Sequence, residues 1–298
     1  SFTQSDTSGC EPLTVVFENE SVPYDTGSIG DMTFRWNFGN GISSSDQNDT
    51  INFFAHPTQD EVYTVRLIAI SEHGCRDTSF STVRVHPDPI ADFNRSTQSG
   101  CGPLEVTFAE VTQNAENFFW DFGNGDTSTQ ANPTATFVSQ AQFDTVYTIR
   151  LWTTSLYGCL SDTVEKNITV RPDPIAGFTK LTDSICGNTT IQFSNLTVGA
   201  NSYSWNFGDG GTSTSINPQH AYSNNLTADT TYHVRLAVQS PYGCVDTTYG
   251  TVTLFPYPTA IISTTDTAGC TPYSAQFTHS SLLGESYSWS FGNGLTDT

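Results

Sequence analysis

The chain has 298 residues, 36% of them hydrophobic and 12% aromatic, and its 30 acidic side chains outnumber 10 basic ones for a formal net charge of −20. That apolar content supports packed cores and excludes a disordered stalk, while the charge argues against nucleic acid or an anionic membrane as partner. No apolar run approaches the roughly 18 residues a membrane span needs, so no membrane insertion of this segment is expected.

One hexapeptide organises everything else. Trp36-Asn37-Phe38-Gly39-Asn40-Gly41 returns as Trp120-Asp121-Phe122-Gly123-Asn124-Gly125, Trp205-Asn206-Phe207-Gly208-Asp209-Gly210 and Trp289-Ser290-Phe291-Gly292-Asn293-Gly294. A constant period of about 85 residues indicates tandem domains. Alignment on the tryptophans divides the chain into residues 1–86, 87–171, 172–255 and 256–298.

Within a unit the elements follow in order. A short first strand (Ala91-Asp92-Phe93-Asn94 in unit two) leads to a Gly-Cys segment read as a turn. The second strand alternates Leu13, Val15, Phe17, or Leu104, Val106, Phe108, or Ile191, Phe193. The third is the Trp strand, with a ring two residues earlier at Phe34, Phe118, Tyr203 and Tyr287, so its large rings share one side. Trp36, Trp120, Trp205 and Trp289 are the expected core residues. The Gly-Asn/Asp-Gly tail supplies a tight turn with positive φ. One carboxylate per turn falls far short of the six to eight oxygens that Ca²⁺ takes. A fourth strand follows at Thr136-Phe137 or Gln219-His220-Ala221-Tyr222. The fifth is Tyr63-Thr64-Val65-Arg66-Leu67, repeated as Tyr147 to Leu151 and Tyr232 to Leu236, with its Tyr-x-apolar-x-Leu face inward. After a second Gly-Cys turn comes a last strand such as Ser81-Thr82-Val83-Arg84-Val85. No segment reads as a helix. Seven or so short alternating strands make an all-β, immunoglobulin-like sandwich.

Pro87-Asp88-Pro89, Pro172-Asp173-Pro174 and Pro256-Tyr257-Pro258 join consecutive units. Such joints favour extended, stiff backbone, so the expected arrangement is a rod of sandwiches end to end.

Trp-x-Phe-Gly-Asn/Asp-Gly, then Asn-Pro-x-His-x-Tyr (Asn217 to Tyr222), then Tyr-x-Val-x-Leu together resemble the polycystic-kidney-disease (PKD) repeat. Unit three matches best; unit one lacks the Asn-Pro-x-His signal and unit two has Thr136 in place of the His. The resemblance implies extracellular modules used as spacers and adhesive stalks, with occasional polysaccharide contacts. The Gly-Cys-x-Pro-Leu motif before the second strand is similar to repeats of very large cell-surface adhesins of Bacteroidota, including those for gliding motility. Unit four ends after its Trp turn, which leaves half a sandwich with an open apolar face, so the chain is expected to be part of a longer repetitive protein.

Cysteines fall at two positions per unit: Cys10, Cys101, Cys186 and Cys270 before the second strand, and Cys75, Cys159 and Cys244 after the Tyr strand. No Cys-x-x-Cys or paired His suggests zinc. Three readings stand: bonds between units, bonds within units, or reduced thiols. Within a unit the two positions lie at opposite ends of strands about 23 Å long, beyond the roughly 7 Å a disulfide spans. Bonds between units are favoured, Cys10 with Cys159 and Cys101 with Cys244, leaving Cys75, Cys186 and Cys270 single. Disulfides point to an extracellular, oxidising location, and the resemblance implies the cell surface.

Other candidates have plain readings. The six histidines are scattered, and no nucleophile–base, His-Glu-x-x-His or paired-carboxylate signature appears, so neither catalytic activity nor a cofactor or metal is expected. Arg66, Arg150 and Arg235 face outward on the Tyr strand, suited to cross-strand ion pairs or to a cationic stripe for acidic glycan. Trp152 faces outward beside Arg150, for local packing or for a sugar ring. His220 packs at a turn. Asp-Thr/Ser pairs cap strands and resemble the O-glycosylation sequence of exported Bacteroidota proteins, a resemblance that implies glycans at Thr50, Thr145, Thr163, Ser184, Thr230, Thr247 and Thr267.

The function read from the sequence is a stalk segment of a repetitive surface adhesin, its partners being neighbouring repeats of the same chain. Surface or polysaccharide ligands are expected to bind elsewhere on the full-length protein. The alternatives are a glycan-binding repeat array and spacer modules of a secreted polysaccharide- or protein-degrading enzyme.

Overall fold

A computed structural model describes residues 1–23, 32–140, 142–265 and 267–298. Asp266 of the Asp266-Thr267 pair lies outside the described residues. The chain divides into two compact units, Ser1–Val138 with Asp144–Val170 and Ser139–Phe143 with Arg171–Thr298. Repeats one and two make up essentially all of the first, repeats three and four the second.

Repeat one contains β1 (Phe2–Gln4), β2 (Ser8–Cys10), β3 (Leu13–Asn19), β4 (Thr33–Asn37), β5 (Ser43–Ser44), β6 (Asp49–Phe53), β7 (Glu61–Ile70) and β8 (Arg76–His86). They form a three-stranded sheet in the order β1-β3-β6 and a five-stranded sheet in the order β2-β8-β7-β4-β5. Repeat two supplies β9 (Phe93–Arg95), β10 (Ser99–Cys101), β11 (Leu104–Glu110), β12 (Asn117–Asp121), β13 (Thr127–Ser128), β14 (Thr134–Phe137), β15 (Thr145–Thr154) and β16 (Val164–Arg171). Repeat three supplies β17 (Phe178–Lys180), β18 (Ser184–Cys186), β19 (Thr189–Asn195), β20 (Ser202–Asn206), β21 (Thr212–Ser213), β22 (Gln219–Tyr222), β23 (Thr230–Gln239) and β24 (Val245–Phe255). Both reproduce the same sheet orders. Repeat four has β25 (Ile262–Thr264), β26 (Phe277–His279), β27 (Trp289–Ser290) and β28 (Thr296–Asp297) in two-stranded pairs. Among the described residues there is no helix, and so none long and apolar enough to cross a membrane.

Period-two alternation closes each sandwich. β3 buries Val15 and Phe17, and β7 buries Val65 and Leu67, while the residues between them face out. Trp36, Trp120 and Trp205 sit in three separate cores, each almost wholly buried. Each indole finds its polar partner at the same place: Nε1–H donates to the carbonyl of Asp46 at 2.9 Å, of Gln130 at 2.8 Å and of Ser215 at 2.9 Å. That bond removes the penalty of burying an indole N–H. The strand tyrosines do the same, Tyr63, Tyr147 and Tyr232 donating to the carbonyls of Phe54, Val138 and Ser223.

Three sequence expectations change. Each full repeat has eight strands, because two-residue partners such as β5 complete the hairpin after the Trp strand. The first Gly-Cys segment is a strand and not a turn. β2 and β18 run parallel to the ends of β8 and β24, with Cys10 opposite His86 and Cys186 opposite Phe255. There the chain leaves the smaller sheet and pairs with backbone groups that the last strand would otherwise leave open. Glycine fits this crossing closely, since a Cβ on Gly9 would come within 2.7 Å of the Leu13 side chain. Finally, Trp289 is not a core residue. It is only partly covered, Phe277 and Phe291 are exposed, and no described residue of repeat four is buried, because among the described residues this repeat has no counterparts of β7 and β8 to close over the indole.

The turn after the Trp strand explains its two glycines differently. Gly123 has φ 69°, and a Cβ there would meet the Thr148 backbone oxygen at 2.7 Å; Gly125 has φ 98° but open space around it. Gly125→Ala is therefore expected to destabilise repeat two by about 1 kcal/mol through backbone strain alone. Gly123→Ala adds a backbone collision and is expected to destabilise it by roughly 3 kcal/mol. Equal effects in urea unfolding would contradict this distinction.

Candidate functional site: the joint between the first two repeats

No cleft gathers catalytic groups among the described residues, and the chemically distinctive place in the first unit is where repeat one meets repeat two. Cys10, at the end of β2, is bonded to Cys159, 149 residues later, with their Cα atoms 5.3 Å apart. Local structure aims both sulfurs. The parallel pairing of β2 with β8 holds Cys10 beside His86 at the repeat's end. Cys159 closes a turn in which Ser155 N donates to the Cys159 carbonyl at 2.9 Å, Cys159 N donates to Ser155 Oγ at 3.1 Å, and Gly158 takes φ 83°. The same turn forms at Ser71 to Cys75 and at Ser240 to Cys244.

Around the bond the two repeats are packed. The His86 ring stacks on Tyr157 with centroids 3.7 Å apart, and Pro87 and Pro89 are buried. Glu11 acts as a staple: its carboxylate accepts from Ala55 N at 2.9 Å and Asp88 N at 3.4 Å. Asn114 Nδ2 donates to the Pro57 carbonyl at 3.3 Å. The Asp88 carboxylate lies within 4.8 Å of both sulfurs, but with the sulfurs bonded to each other no thiolate is left to ligate a metal.

Two carboxylates at this joint are shifted in opposite directions. Asp60 is held below the usual Asp range by its hydrogen bond to His86 Nδ1 at 2.9 Å, helped by Arg84. Asp88 is pushed up by burial, then by the nearby charges of Glu11 and Asp162. A lowered folded value means the Asp60 contribution is present above the unfolded value near about 4 and is lost as pH falls through the folded value. For Asp88 the sign reverses: its ionised form opposes folding, fully so above the folded value. Asp60→Asn is therefore expected to lower Tm at neutral pH and Asp88→Asn to raise it, both differences shrinking in acid. Melting curves of the two variants across pH 3–7 check this, and shifts of the same sign would contradict it.

The remaining candidate residues are placed as follows. Cys101 is partly buried and Cys244 buried, and both are in disulfide form; Cys75, Cys186 and Cys270 are free and exposed. In the second unit the Arg171 guanidinium lies 4.1 Å over the Tyr242 ring, and these are the repeat positions of His86 and Tyr157. Arg150 pairs with Glu165 and Asp121, whereas among the described residues Arg66 and Arg235 form no ion pair. Trp152 stacks on Phe119 at 5.8 Å, a packing partner directly across the register. His220 stacks on Phe207 at 4.1 Å and shares a 2.7 Å contact with Asp209, so it braces the turn. Thr50, Thr163, Ser184, Thr247 and Thr267 are exposed, while Thr145 and Thr230 are partly buried. The His86–Tyr157 stack and the Glu11 staple were not found from sequence; the only signal was an aromatic two residues before the second cysteine, Tyr157 and Tyr242.

Comparison with known proteins adds the family context. Residues 171–254 match the family model described as PKD domain. Among solved structures the chain is similar to the PKD1 domain of Vibrio anguillarum Epp, at 26% identity over 28% of this chain and 96% of that one, with TM-score 0.23. It is similar also to the PKD1 domain from the Vibrio cholerae metalloprotease PrtV, at 29% identity over 28% and 98%, with TM-score 0.23. An I-band fragment from titin aligns over 86% of this chain and 98% of its own length, at 9% identity and TM-score 0.46. No curated protein sequence matches. The disulfides suit an extracellular setting. With a PKD match on its third repeat, the chain is an all-β array of tandem immunoglobulin-like domains.

Proposed function

We propose that the chain is a section of a cell-surface stalk whose work is reach and resistance to extension, holding an adhesive region away from its anchor. Sandwiches of this kind host many functions, and it is the joint, not the fold, that points to this one. The observation that carries it is the Cys10–Cys159 bond, which fastens neighbouring repeats. Cys101 and Cys244 hold the same sequence positions and are both in disulfide form, and the reading extends to them. Cys75 and Cys186 occupy the corresponding half-positions for repeats placed before and after. The likeness of the Gly-Cys-x-Pro-Leu motif to Bacteroidota surface adhesins supports adhesion, with gliding as one use of it. Glycans on the exposed Thr50, Thr163, Ser184, Thr247 and Thr267 belong to the same reading.

Stretching single molecules by their ends tests the proposal. A bond closing 149 residues withholds roughly 500 Å of extended chain from the pulling force. The oxidised chain is expected to lengthen on complete unfolding by at least that much less than the reduced chain. Equal extensions before and after reduction would remove the mechanical role.

A further inference from the structure

On the outer face of the five-stranded sheet, one row of three residues recurs in register. Repeat one has Asn37 on β4, Arg66 on β7 and Phe80 on β8. Repeat three has Asn206 on β20, Arg235 on β23 and Tyr249 on β24. Repeat two has Asp121, Arg150 and Glu165 on β12, β15 and β16. There the row satisfies itself: Arg150 Nε donates to Glu165 Oε1 at 2.7 Å and Nη1 donates to Asp121 Oδ2 at 3.4 Å.

In repeats one and three both carboxylates are gone, replaced by an amide on one side and a ring on the other. Phe80 is 65% exposed and Tyr249 71% exposed, and among the described residues neither ring packs against another ring. Arg66 and Arg235 are exposed and their guanidinium groups have no ion pair or hydrogen bond among the described residues. Asn37 and Asn206 spend Oδ1 on the turn, accepting from Gly39 N and Gly208 N at 2.9 Å, which leaves the amide hydrogens directed elsewhere. Threonines flank each ring on its own strand face, Thr78 and Thr82 in repeat one and Thr247 and Thr251 in repeat three.

An open aromatic face, a guanidinium and a carboxamide across two strand spacings, about 10 Å, match the length of a pyranose disaccharide. The sugar's C–H face lies on the aromatic and its hydroxyls accept from the nitrogen donors. We propose that these two rows each bind a neutral polysaccharide of equatorially substituted hexopyranoses, weakly, with avidity along the array. The net charge of −20 opposes an acidic polymer, and rings isolated among threonines do not make the contiguous apolar patch a protein partner needs. This proposal is independent of the stalk reading.

Calorimetric titration of the intact chain with cellohexaose and, separately, with galacturonate oligomers is the test. Two equivalent weak sites for cellohexaose are expected, and none of comparable strength for galacturonate. Phe80→Ala should remove one site. Phe80→Ala with Tyr249→Ala should weaken binding about tenfold or more without moving Tm, since both rings are exposed. Asp121→Asn with Glu165→Tyr should add a third site. Absence of cellohexaose binding, undiminished binding by the double alanine variant, or preference for galacturonate would each overturn the assignment.

Discussion

Trp120→Ala is expected to destabilise repeat two by about 3–5 kcal/mol, a large part of the roughly 5–15 kcal/mol that holds a domain of this kind together. The indole is the centre of its core. Phe93 meets it edge-on at 5.0 Å, Phe108 lies at 5.5 Å and Phe122 stacks at 6.2 Å. Alanine removes those contacts and also leaves the Gln130 carbonyl without its 2.8 Å donor. Trp36→Ala and Trp205→Ala should behave alike in their own repeats. Trp289→Ala should cost less than about 1 kcal/mol, because that indole is only partly covered. Since a chain of several sandwiches does not unfold in one step, the readout is the loss or shift of a single transition in denaturant unfolding. An equal penalty at Trp120 and Trp289 would show that burial is not what makes the motif matter.

Cys10→Ser carries the second large effect. Closing a loop of 149 residues restricts the unfolded chain by about 5 kcal/mol on the chain-entropy estimate. Repeats one and two have separate hydrophobic cores, so each keeps its own fold when the bond is gone. What is lost is their coupling. Calorimetry is expected to show the two repeats melting closer together in the oxidised chain and separately, at lower temperature, in the variant. Cys75→Ser, at a free and exposed thiol, should leave the trace unchanged. Identical traces for all three proteins would deny the bond any part in stability.

Much of the fold was legible because the chain states its pattern repeatedly. The alternation at Leu13, Val15, Phe17 and at Tyr63, Val65, Leu67 fixes which strand faces are inward, and four copies of the Trp motif set the register. What stayed hidden depends on contacts distant in sequence. Ser8-Gly9-Cys10 is too short to show periodicity, and only pairing with β8 makes it a strand. Trp289 carries the right motif and reads as a core residue by it, although the half sandwich legible in repeat four already left its apolar face open. At the joint the cysteines could be placed by topology, whereas the His86–Tyr157 stack joins positions 71 residues apart and varies in chemistry, with Arg171 over Tyr242 at the equivalent place. The outward rows were visible only in part. Arg66, Arg150 and Arg235 stood out, but the difference between Glu165 and the rings Phe80 and Tyr249 needed the β7–β8 register.

Peptide mapping of the non-reduced, alkylated chain by mass spectrometry asks most directly whether the covalent links run between repeats. The expected peptides join Cys10 to Cys159 and Cys101 to Cys244, with alkylated thiols at Cys75, Cys186 and Cys270. Recovery of Cys10 joined to Cys75, or of Cys101 joined to Cys159, would place the bonds inside single sandwiches and contradict the fastened joint.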